Sequence, residues 1–304
     1  MVQRYIVDSK FVQKRIDTYL IDVLKLSRNK IQKLINTSDI LVNNSKVKSS
    51  YLLKEDDVIT IKQQVDKELE VNPEKIDINI VYEDDDIIVI NKDNGMVVHP
   101  ALGNEKGTLV NGLLYYYDHL SDINGELRPG IVHRIDSFTT GLLVVAKNNE
   151  AHQELAKQLK DRTMVRKYYA LVWGVINNDT GTIDAPIGRD INNRKRQTVT
   201  SINSKKAITH FKVIKRFKET TLVEASLETG RTHQIRVHFN YIKYPIVNDS
   251  VYGIKKTIDD SGQCLHAKTL GFNHPKTGKY LEFDSELPNC FVNIMQNFAS
   301  KEDK

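Results

Sequence analysis

The spacing of apolar residues over residues 14–62 predicts a small unit of two helices and a few strands. Apolar positions three or four residues apart over 16–24 indicate one helix, and Ser27 is a suitable N-terminal cap for a second one. Two short apolar runs further on favour strands, and Asn43-Asn44, which follows the first run, is typical of a turn. We therefore expect a compact α+β fold for this part of the chain.

Residues 63–75 separate this unit from the rest of the chain. Their sequence, QQVDKELEVNPEK, has little apolar periodicity and contains Pro73, which is typical of a linker. We therefore predict two domains, a small one at 1–70 and a larger one at 76–304. The total length of 304 residues agrees with this division, because it exceeds the usual size of one domain.

Beyond the linker, stretches with the pattern of strands outnumber those with the period of a helix. Helical spacing occurs at 108–117 and 150–160. The predicted strands are at 76–82, 87–91, 142–147, 167–172, 206–216 and 221–228. Because strands and helices do not alternate regularly, we expect an α+β domain with a mostly antiparallel mixed sheet flanked by helices, and not a doubly wound fold.

Charge and cysteine content narrow the class of protein. The 44 lysines and arginines exceed the 39 acidic residues, and the net charge of +5 mildly favours a polyanionic partner. Cys264 and Cys290, the only cysteines, are too few for a disulfide framework and lack the paired spacing of a zinc site. The sequence contains neither an apolar stretch of about 18 residues nor an N-terminal export signal. We therefore expect a cytoplasmic protein that does not cross a membrane.

Two groups of basic residues are candidates for contacting a polyanion. Arg28, Lys30 and Lys33 lie on the polar side of the second predicted helix, although such a set alone is more often a solvated face. Residues 189–216 hold nine basic residues against one acid, Asp190. Clustered cations bind phosphates well because they release condensed counterions. The second group is therefore the better candidate for phosphate contacts.

The stretch IVHRIDSFTTGLLVVAK at 131–147 sets His133, Arg134 and Asp136 before a strongly apolar strand. A protein-kinase catalytic loop would need the aspartate directly after the arginine and an Asp-Phe-Gly further on, and neither is present. For an isolated aspartate, the ordinary interpretation is that it caps a turn. Two further motifs weaken that interpretation.

The first of these motifs is TGRTHQIRVH at 229–238. Its histidines, His233 and His238, would point in different directions on a strand or a helix, and no cysteine or carboxylate completes a metal-ligand set. Thr232 can cap a helix, which would place Arg236 in the first turns. A planar, permanently charged arginine held in this way is suited to binding a carboxylate.

The second motif is RKYYALVWG at 166–174. The alternation of a strand puts Tyr168 and Ala170 on one face and Tyr169 and Leu171 on the other. A core position is the ordinary expectation for either tyrosine. A tyrosine that faces the same cleft as an aspartate and an arginine would instead offer a stacking surface for a nucleic-acid base.

Residues 14–62 resemble the S4 RNA-binding domain. The likeness rests on LSRNKIQKLINTSDILVNNSKV and on an arginine near the start of the pattern, with Ser-Arg opening the second helix and a Val-Asn turn. By this resemblance, the expected RNA contacts of the small domain are Arg15, Ser27, Arg28, Lys30, Lys33 and Asn43.

Six motifs in the larger domain resemble, in this order, the RluA/RluD-type family of RNA pseudouridine synthases. They are HRIDSFTTGLLVVAK, RKYYALVWG, APIGRD, GRTHQIRVH, YPIVNDSVYG and LHAKTLGFNHP. Together with the S4-like unit, they match the two-domain members that modify large-subunit ribosomal RNA. The resemblance implies the pseudouridine synthase fold and an isomerase that breaks the N1–C1′ bond of uridine and rejoins uracil through C5.

The same resemblance implies roles for four residues of the three motifs discussed above. Asp136 would be the catalytic aspartate, Arg236 its ion-pair partner, and Tyr168 the base or the stacking wall beside the uracil. Arg134 would fill the space that the flipped nucleotide leaves. Further RNA contacts are expected from Arg189, Arg194, Lys195 and Arg196. We expect no metal, no cofactor, ribosomal RNA as the partner, and a monomer.

Alternatives remain open at the level of the sequence. Asp136 could attack C1′ of the ribose or remove its 2′ proton. A non-catalytic RNA-binding or ribosome-assembly protein could keep the same fold without the chemistry. An RNA glycosidase is a more distant alternative, since it would need a second carboxyl group and would release free uracil.

Overall fold

The computed structural model describes residues 2–24, 28–62, 71–101, 103–125, 127–193, 196–253 and 257–299. The chain divides into two compact units, Met1–Glu68 and Leu69–Lys304. Three predicted RNA contacts, Ser27, Arg194 and Lys195, and most of the predicted linker lie outside the described residues.

The first unit combines two helices with a three-stranded antiparallel sheet. Its elements are β1 (Val2–Ile6), a 3-10 turn (Ser9–Phe11), α1 (Ile16–Leu24), α2 (Arg28–Asn36), β2 (Ile40–Val42) and β3 (Val58–Lys62). The strands lie in the order β1-β3-β2. The apolar residues that predicted the helices are buried together with those of the strands, and they include Ile16, Leu20, Ile31, Ile35, Ile40 and Ile59.

The Asn43-Asn44 pair forms the predicted turn. Both residues have positive φ angles, 50° and 62°, which asparagine tolerates better than most residues. The side chain of Asn43 is anchored within the unit, since its Nδ2 donates to Asp57 Oδ1 at 2.8 Å and its Oδ1 accepts from the backbone N–H of Val58 at 2.9 Å. The structure therefore gives Asn43 a positioning role in the turn.

The second unit is built on a nine-stranded mixed sheet with helices around it. Its sheet strands are β4 (Ile80–Glu83), β5 (Ile87–Lys92), β6 (Thr140–Ala146), β7 (Val165–Trp173), β8 (Thr180–Asp184), β11 (Ile208–Arg216), β12 (Thr220–Leu227), β13 (Leu265–Asn273) and β14 (Tyr280–Asp284). A separate hairpin consists of β9 (Ile187–Arg189) and β10 (Gln197–Val199), and the helices are α3 (Leu109–Tyr116), α4 (Asn149–Asp161), α5 (Gln234–Tyr241) and α6 (Asn289–Ala299).

The sheet has the order β4-β5-β6-β13-β7-β12-β11-β8, and β14 pairs with β13. Among the described strand pairs only β13 with β6 is parallel, so the predicted α+β fold with a mostly antiparallel sheet is confirmed. The predicted strand at 76–82 begins only at Ile80. Ile76 and Ile78 instead pack over Gly112 of α3, where a Cβ would lie 3.1–3.2 Å from them.

Strand β6 explains the continuous apolar run of the 131–147 motif. Leu143 and Val145 face the core that contains α3, whereas Leu142 and Val144 face the core that contains α4. All seven residues of β6 are buried. A strand buried on both faces is a rigid element, and the loop that carries Asp136 leads directly into it.

Candidate active site

The loop before β6 is fastened to the sheet on both sides of Asp136. The backbone N–H of Val144 donates to His133 Nε2 at 3.1 Å, and Lys92 Nζ donates to the backbone carbonyl of Ser137 at 2.7 Å. The N–H of Thr139 donates to the carbonyl of Asp136 at 3.0 Å. These bonds fix the backbone from which the Asp136 carboxylate projects.

His133 serves this anchoring role as a neutral ring. Burial, together with the positive charge of Arg166, lowers the pKa of His133 to about 3. The ring nitrogen that faces Val144 can therefore accept a hydrogen bond at neutral pH. His133 thus positions the loop.

The carboxylate of Asp136 forms an ion pair with Arg236. Arg236 Nη1 donates to Asp136 Oδ2 at 2.9 Å. The side chain of Asp136 is 24% exposed and that of Arg236 only 6%, so the arginine lies behind the carboxylate and the carboxylate faces the cleft. The sequence had placed these two residues together only through the family resemblance, since 100 positions separate them.

Arg236 is held from its other side by Asp249, which the sequence analysis missed. Arg236 Nε and Nη2 donate to the two Asp249 oxygens at 2.7 and 2.9 Å, a bidentate pair. Burial lowers the pKa of Arg236, but its hydrogen bonds to Asp249 and the charges of Asp249 and Asp136 outweigh this and raise it overall. Burial raises the pKa of Asp249, but hydrogen bonds from Arg236 outweigh this and lower it. The only sequence signal for Asp249 was its place in the YPIVNDSVYG motif.

Helix α5 begins one residue later than the sequence predicted. Thr232 was the expected cap, but the cap is His233, a left-handed residue with φ of 58° and no capping hydrogen bond from its side chain. The side chain of Gln234 organises the turn instead, since its Oε1 accepts from the N–H of Arg231 at 2.9 Å. Thr232 Oγ1 is thereby left to accept from Arg134 Nη2 at 3.3 Å.

Tyr168 lies on the face of β7 that the strand pattern predicted. It is 6% exposed and lines the same cleft as Asp136 and Arg236. Burial raises the pKa of the Tyr168 phenol; the Arg166 charge lowers it and the Asp136 charge raises it further. Among the described residues no group hydrogen-bonds to its hydroxyl, which is therefore available to a bound molecule.

The cleft has a volume of about 280 Å³, near the lower limit for small-molecule pockets, and therefore suits one nucleobase better than a large ligand. Asp136 is the only carboxylate among the described residues that line it. The residues that offer charge or hydrogen bonds to the space include Asp136, Tyr168, Arg236, Arg134, Arg166 and Thr232. The structure therefore brings together all four predicted residues of the catalytic unit.

Arg134 lies at the rim of the cleft with its side chain exposed. Besides its bond to Thr232, its Nη1 lies 3.4 Å from His99 Nε2. Burial, with the charges of Arg128 and Arg134, lowers the pKa of His99 to about 4, so the neutral ring can accept this bond. No carboxylate of the described residues forms an ion pair with Arg134, which leaves its charge available to a phosphate or a base.

Lys92, at the end of β5, is a buried cation that the sequence analysis did not single out. It is 1% exposed, and its Nζ donates to the backbone carbonyls of Asp93, Met96 and Ser137 at 2.7, 2.9 and 2.7 Å. Burial lowers the pKa of Lys92 to about 7, against the opposing charges of Asp136 and Asp93. Lys92 thus joins the turn after β5 to the Asp136 loop.

The β9–β10 hairpin contains two of the predicted RNA contacts, Arg189 and Arg196. Arg189 is exposed at the end of β9. The guanidinium carbon of Arg196 lies 5.1 Å from the ring centre of Tyr252, and that of Arg236 lies at the same distance from the same ring. The N–H of Gln197 donates to the Tyr252 hydroxyl at 2.8 Å. The hairpin is thus tied to the arginine that holds Asp136.

In the first unit, Arg15 and Arg28 lie beside one buried acid. Arg15 donates to both oxygens of Asp17 at 3.0 and 2.8 Å, and Arg28 Nε lies 3.7 Å from Asp17. Asp17 is fully buried, while the two arginine side chains are 46% and 59% exposed. The helix α2 includes Lys30 and Lys33, whose side chains lie outside the description. Both arginines can therefore contact a ligand while Asp17 orients them.

No metal-ligand cluster of the described residues occurs in the cleft. Within the described part of the chain, one group has suitable spacing, Asp84, Asp86 and His274. It lies elsewhere and is already engaged, since His274 Nε2 lies 2.8 Å from Asp84 Oδ2 and Asn148 donates to Asp86. The expectation that the protein needs no metal or cofactor stays a prediction.

Comparison with known proteins identifies the class. Residues 86–241 match the family description "RNA pseudouridylate synthase", and residues 14–59 match "S4 domain". The chain belongs to the RNA pseudouridylate synthase family. It is therefore an isomerase that acts on RNA and converts uridine to pseudouridine. None of the described helices is long and apolar enough to cross a membrane.

Individual relatives agree with this assignment. The chain is 50% identical to an uncharacterized RNA pseudouridine synthase, YlyB, of Bacillus subtilis, over 93% of this chain and 94% of the relative. It is 42% identical to ribosomal large subunit pseudouridine synthase D of Zymomonas mobilis, over 90% of each chain. The solved structure of human RNA pseudouridylate synthase domain containing 1 has a TM-score of 0.56 and 23% identity, covering 73% of this chain and 95% of that one, and supports the fold.

Proposed function

We propose that this enzyme converts uridines of large-subunit ribosomal RNA to pseudouridine, with Asp136 as the catalytic carboxylate. The observation that carries the proposal is the position of Asp136, which faces a base-sized cleft and is paired from behind with a buried arginine. The ribosomal substrate is supported by the Zymomonas mobilis relative, which is named a ribosomal large subunit pseudouridine synthase. The match to this chain covers 90% of that relative.

One carboxylate is sufficient for this reaction. As the N1–C1′ bond breaks, the ribose becomes electron-poor, and Asp136 can attack C1′ or remove the 2′ proton. Uracil then turns, and C5 bonds to C1′ as the Asp136–C1′ bond of the first route breaks or as Asp136 returns the 2′ proton on the second. C5 then loses its proton and N1 gains one. A glycosidase would need a second carboxyl group for water, and Asp136 is the only one among the described cleft residues.

The other cleft residues have separate tasks in this proposal. Arg236, fixed by Asp249, keeps the charged Asp136 carboxylate oriented. The ring of Tyr168 is the wall against which the uracil lies, and its hydroxyl reaches the base. Extruding the nucleotide from the RNA stack costs on the order of a few kcal/mol. Arg134, exposed at the rim, offsets this cost by filling the space that the nucleotide leaves.

RNA is held outside the cleft by cations on both units. On the first unit these are Arg15, which precedes α1, and Arg28, Lys30 and Lys33 of α2. On the second unit they are Arg189, Arg194, Lys195 and Arg196. We propose phosphate contacts for them because clustered cations release counterions on binding RNA. That the enzyme works as a monomer and without a cofactor stays a prediction.

The test compares Asp136→Asn with the wild-type enzyme on ribosomal RNA from cells that lack the protein. Wild type is expected to form pseudouridine at specific positions, whereas the variant binds the RNA with unchanged affinity and forms none. Asp118→Asn changes an exposed aspartate that lies outside the six motifs and does not line the cleft; it is the matched control and should keep full activity.

Three results would contradict the proposal. Product formation by Asp136→Asn would show that another residue is the catalyst. Wild-type enzyme that binds RNA without making pseudouridine would favour the non-catalytic RNA-binding protein. Release of free uracil would indicate a glycosidase.

A further inference from the structure

Arg166 is a buried cation in the cleft that the proposed mechanism does not use. It lies on β7 two residues before Tyr168, on the same face of the strand, and is 8% exposed. No described carboxylate forms an ion pair with it, and its buried Nε has no hydrogen-bond partner. Its side chain lines the cleft next to Asp136, Tyr168 and Arg236.

The other two buried cations near Asp136 have partners within the protein, which makes Arg166 an exception. Arg236 has two carboxylate partners, and Lys92 has three backbone carbonyls. An unpaired guanidinium costs free energy when it is buried, and burial indeed lowers the pKa of Arg166. A protein keeps such a group where a ligand supplies the missing partner.

The surroundings of Arg166 leave its guanidinium free to meet a ligand. A Cβ at position 230 would lie only 2.8 Å from Nη1, so Gly230 gives the guanidinium the room it occupies. The titratable groups whose pKa the Arg166 charge affects include the Tyr168 phenol and His133. Burial and the charge of Arg166 keep the His133 ring neutral. Neither group neutralises the arginine.

We propose that Arg166 binds the uracil carbonyl oxygens and stabilises the negative charge that uracil carries after the N1–C1′ bond breaks. The inference rests on the proposed function. The electron pair of the broken bond leaves with the base, and its charge spreads from N1 to O2 and O4. It is consumed when C5 bonds to C1′, after which C5 loses its proton and N1 gains one. The guanidinium donates hydrogen bonds throughout and exchanges no proton.

This placement divides the charges of the transition state between two sides of the cleft. Asp136 is the negative group and faces the electron-poor ribose, whereas Arg166 is the positive group and faces the electron-rich base. Tyr168, the proposed wall beside the uracil, lies close enough to both that each charge affects its pKa. A preorganised charge of this kind contributes most in a site from which water is excluded.

The test measures single-turnover rates at saturating RNA for Arg166→Met and Arg166→Lys. We expect Arg166→Met to be slower than wild type by about 100- to 1,000-fold, as for loss of one oxyanion-binding donor. RNA affinity should be unchanged, because the buried side chain reaches no phosphate. The melting temperature of Arg166→Met should equal or exceed that of wild type. The substitution breaks no hydrogen bond or ion pair of the described residues, and it removes an unpaired buried charge. Arg166→Lys should recover part of the rate. Arg162→Met, an exposed arginine paired with Glu228, is the matched control with wild-type rate.

Chemical rescue gives a second measurement. Guanidinium ion at millimolar concentration should raise the rate of Arg166→Ala, whereas sodium chloride of equal ionic strength should not. The proposal is overturned if Arg166→Met keeps its rate within about fivefold of wild type, far less than loss of a charge-binding donor costs. It is also overturned if Arg166→Met melts far below wild type and guanidinium fails to rescue Arg166→Ala, which would indicate a structural role. Wild-type enzyme without product would instead refute the proposed function, whatever the variants do.

Discussion

Replacing Asp249 by asparagine tests whether this residue fixes the arginine that orients Asp136. Asp249 accepts four hydrogen bonds. Its Oδ1 accepts from Arg236 Nη2 and from the N–H groups of Val251 and Tyr252, at 2.9, 2.9 and 3.0 Å. An asparagine carbonyl at the Oδ1 position keeps these three. Its NH₂ then faces Arg236 Nε across 2.7 Å, donor against donor, and the negative charge is gone.

The expected loss of stability follows from the burial of the pair. Asp249 is fully buried and Arg236 is 6% exposed, so solvent cannot replace the lost charge. Removing one partner of a buried ion pair costs about 3–5 kcal/mol. For domains of 150–250 residues, 1 kcal/mol shifts the melting temperature by about 2–4 °C, so a fall of about 6–20 °C follows. The bonds from Arg236 to Asp136 and to the asparagine carbonyl remain, but the bidentate ion pair is lost and the guanidinium is held less firmly.

Calorimetric unfolding and single-turnover kinetics of Asp249→Asn provide the assay. The rate should fall with unchanged RNA affinity, since Asp249 is fully buried and does not line the cleft. The matched control is Asp179→Asn, since Asp179 also pairs with an arginine, Arg216, at 2.6 Å but is 84% exposed. Loss of such a surface pair should cost less than about 1 kcal/mol. If Asp249→Asn melted and reacted as Asp179→Asn does, the assigned role of Asp249 would be refuted.

Three further predictions concern the same site and its support. Tyr168→Phe should melt like wild type, since its hydroxyl has no partner among the described residues, yet react at least tenfold more slowly; an unchanged rate would limit Tyr168 to stacking. Lys92→Met removes three hydrogen bonds to backbone carbonyls, at about 0.5–1.5 kcal/mol each, and should lower the melting temperature and the rate; an unchanged melting temperature would contradict this. Burial lowers the pKa of His99 and of His266 to about 4, so the unfolded chain binds more protons than the folded one between about pH 6.5 and 4. The free energy of unfolding should therefore fall as the pH is lowered through that window, by about 1.4 kcal/mol per pH unit for each histidine, and urea unfolding that is independent of pH from 7 to 5 would contradict it.

The parts of the fold that follow from local patterns were predictable from the sequence. The two helices of the first unit and the strand that carries Tyr168 have regular apolar periods, and the structure confirms them. Strand β13 was missed because its buried positions include His266, which is 1% exposed and hydrogen-bonds to Thr140 and Ser285. A strand buried through polar contacts has no apolar alternation to detect.

The partners of the charged residues were the least predictable part of the site. Arg166 and Asp249 lie within recognised motifs, but no local pattern shows that they, or Lys92, are buried rather than on the surface. Whether each is buried, and what it contacts, depends on segments that are distant along the chain. Lys92, for example, meets the carbonyl of Ser137, 45 positions away. The helix cap at His233 was likewise decided by tertiary contacts of Thr232 and Gln234.

The cations near Asp136 differ in whether the protein itself supplies their partners. This difference indicates which of them position other residues and which bind RNA. Arg236 pairs with two carboxylates, and the three donors of Lys92 all meet backbone carbonyls, so the protein itself satisfies the charges of both. Arg134 and Arg166 have no carboxylate partner among the described residues, and one is exposed at the rim while the other is buried in the cleft. Substrate contacts should therefore concentrate on these two, the exposed one for the displaced nucleotide and the buried one for the base. Neutralising Arg134 should accordingly weaken RNA binding, whereas neutralising Arg166 should slow the chemical step.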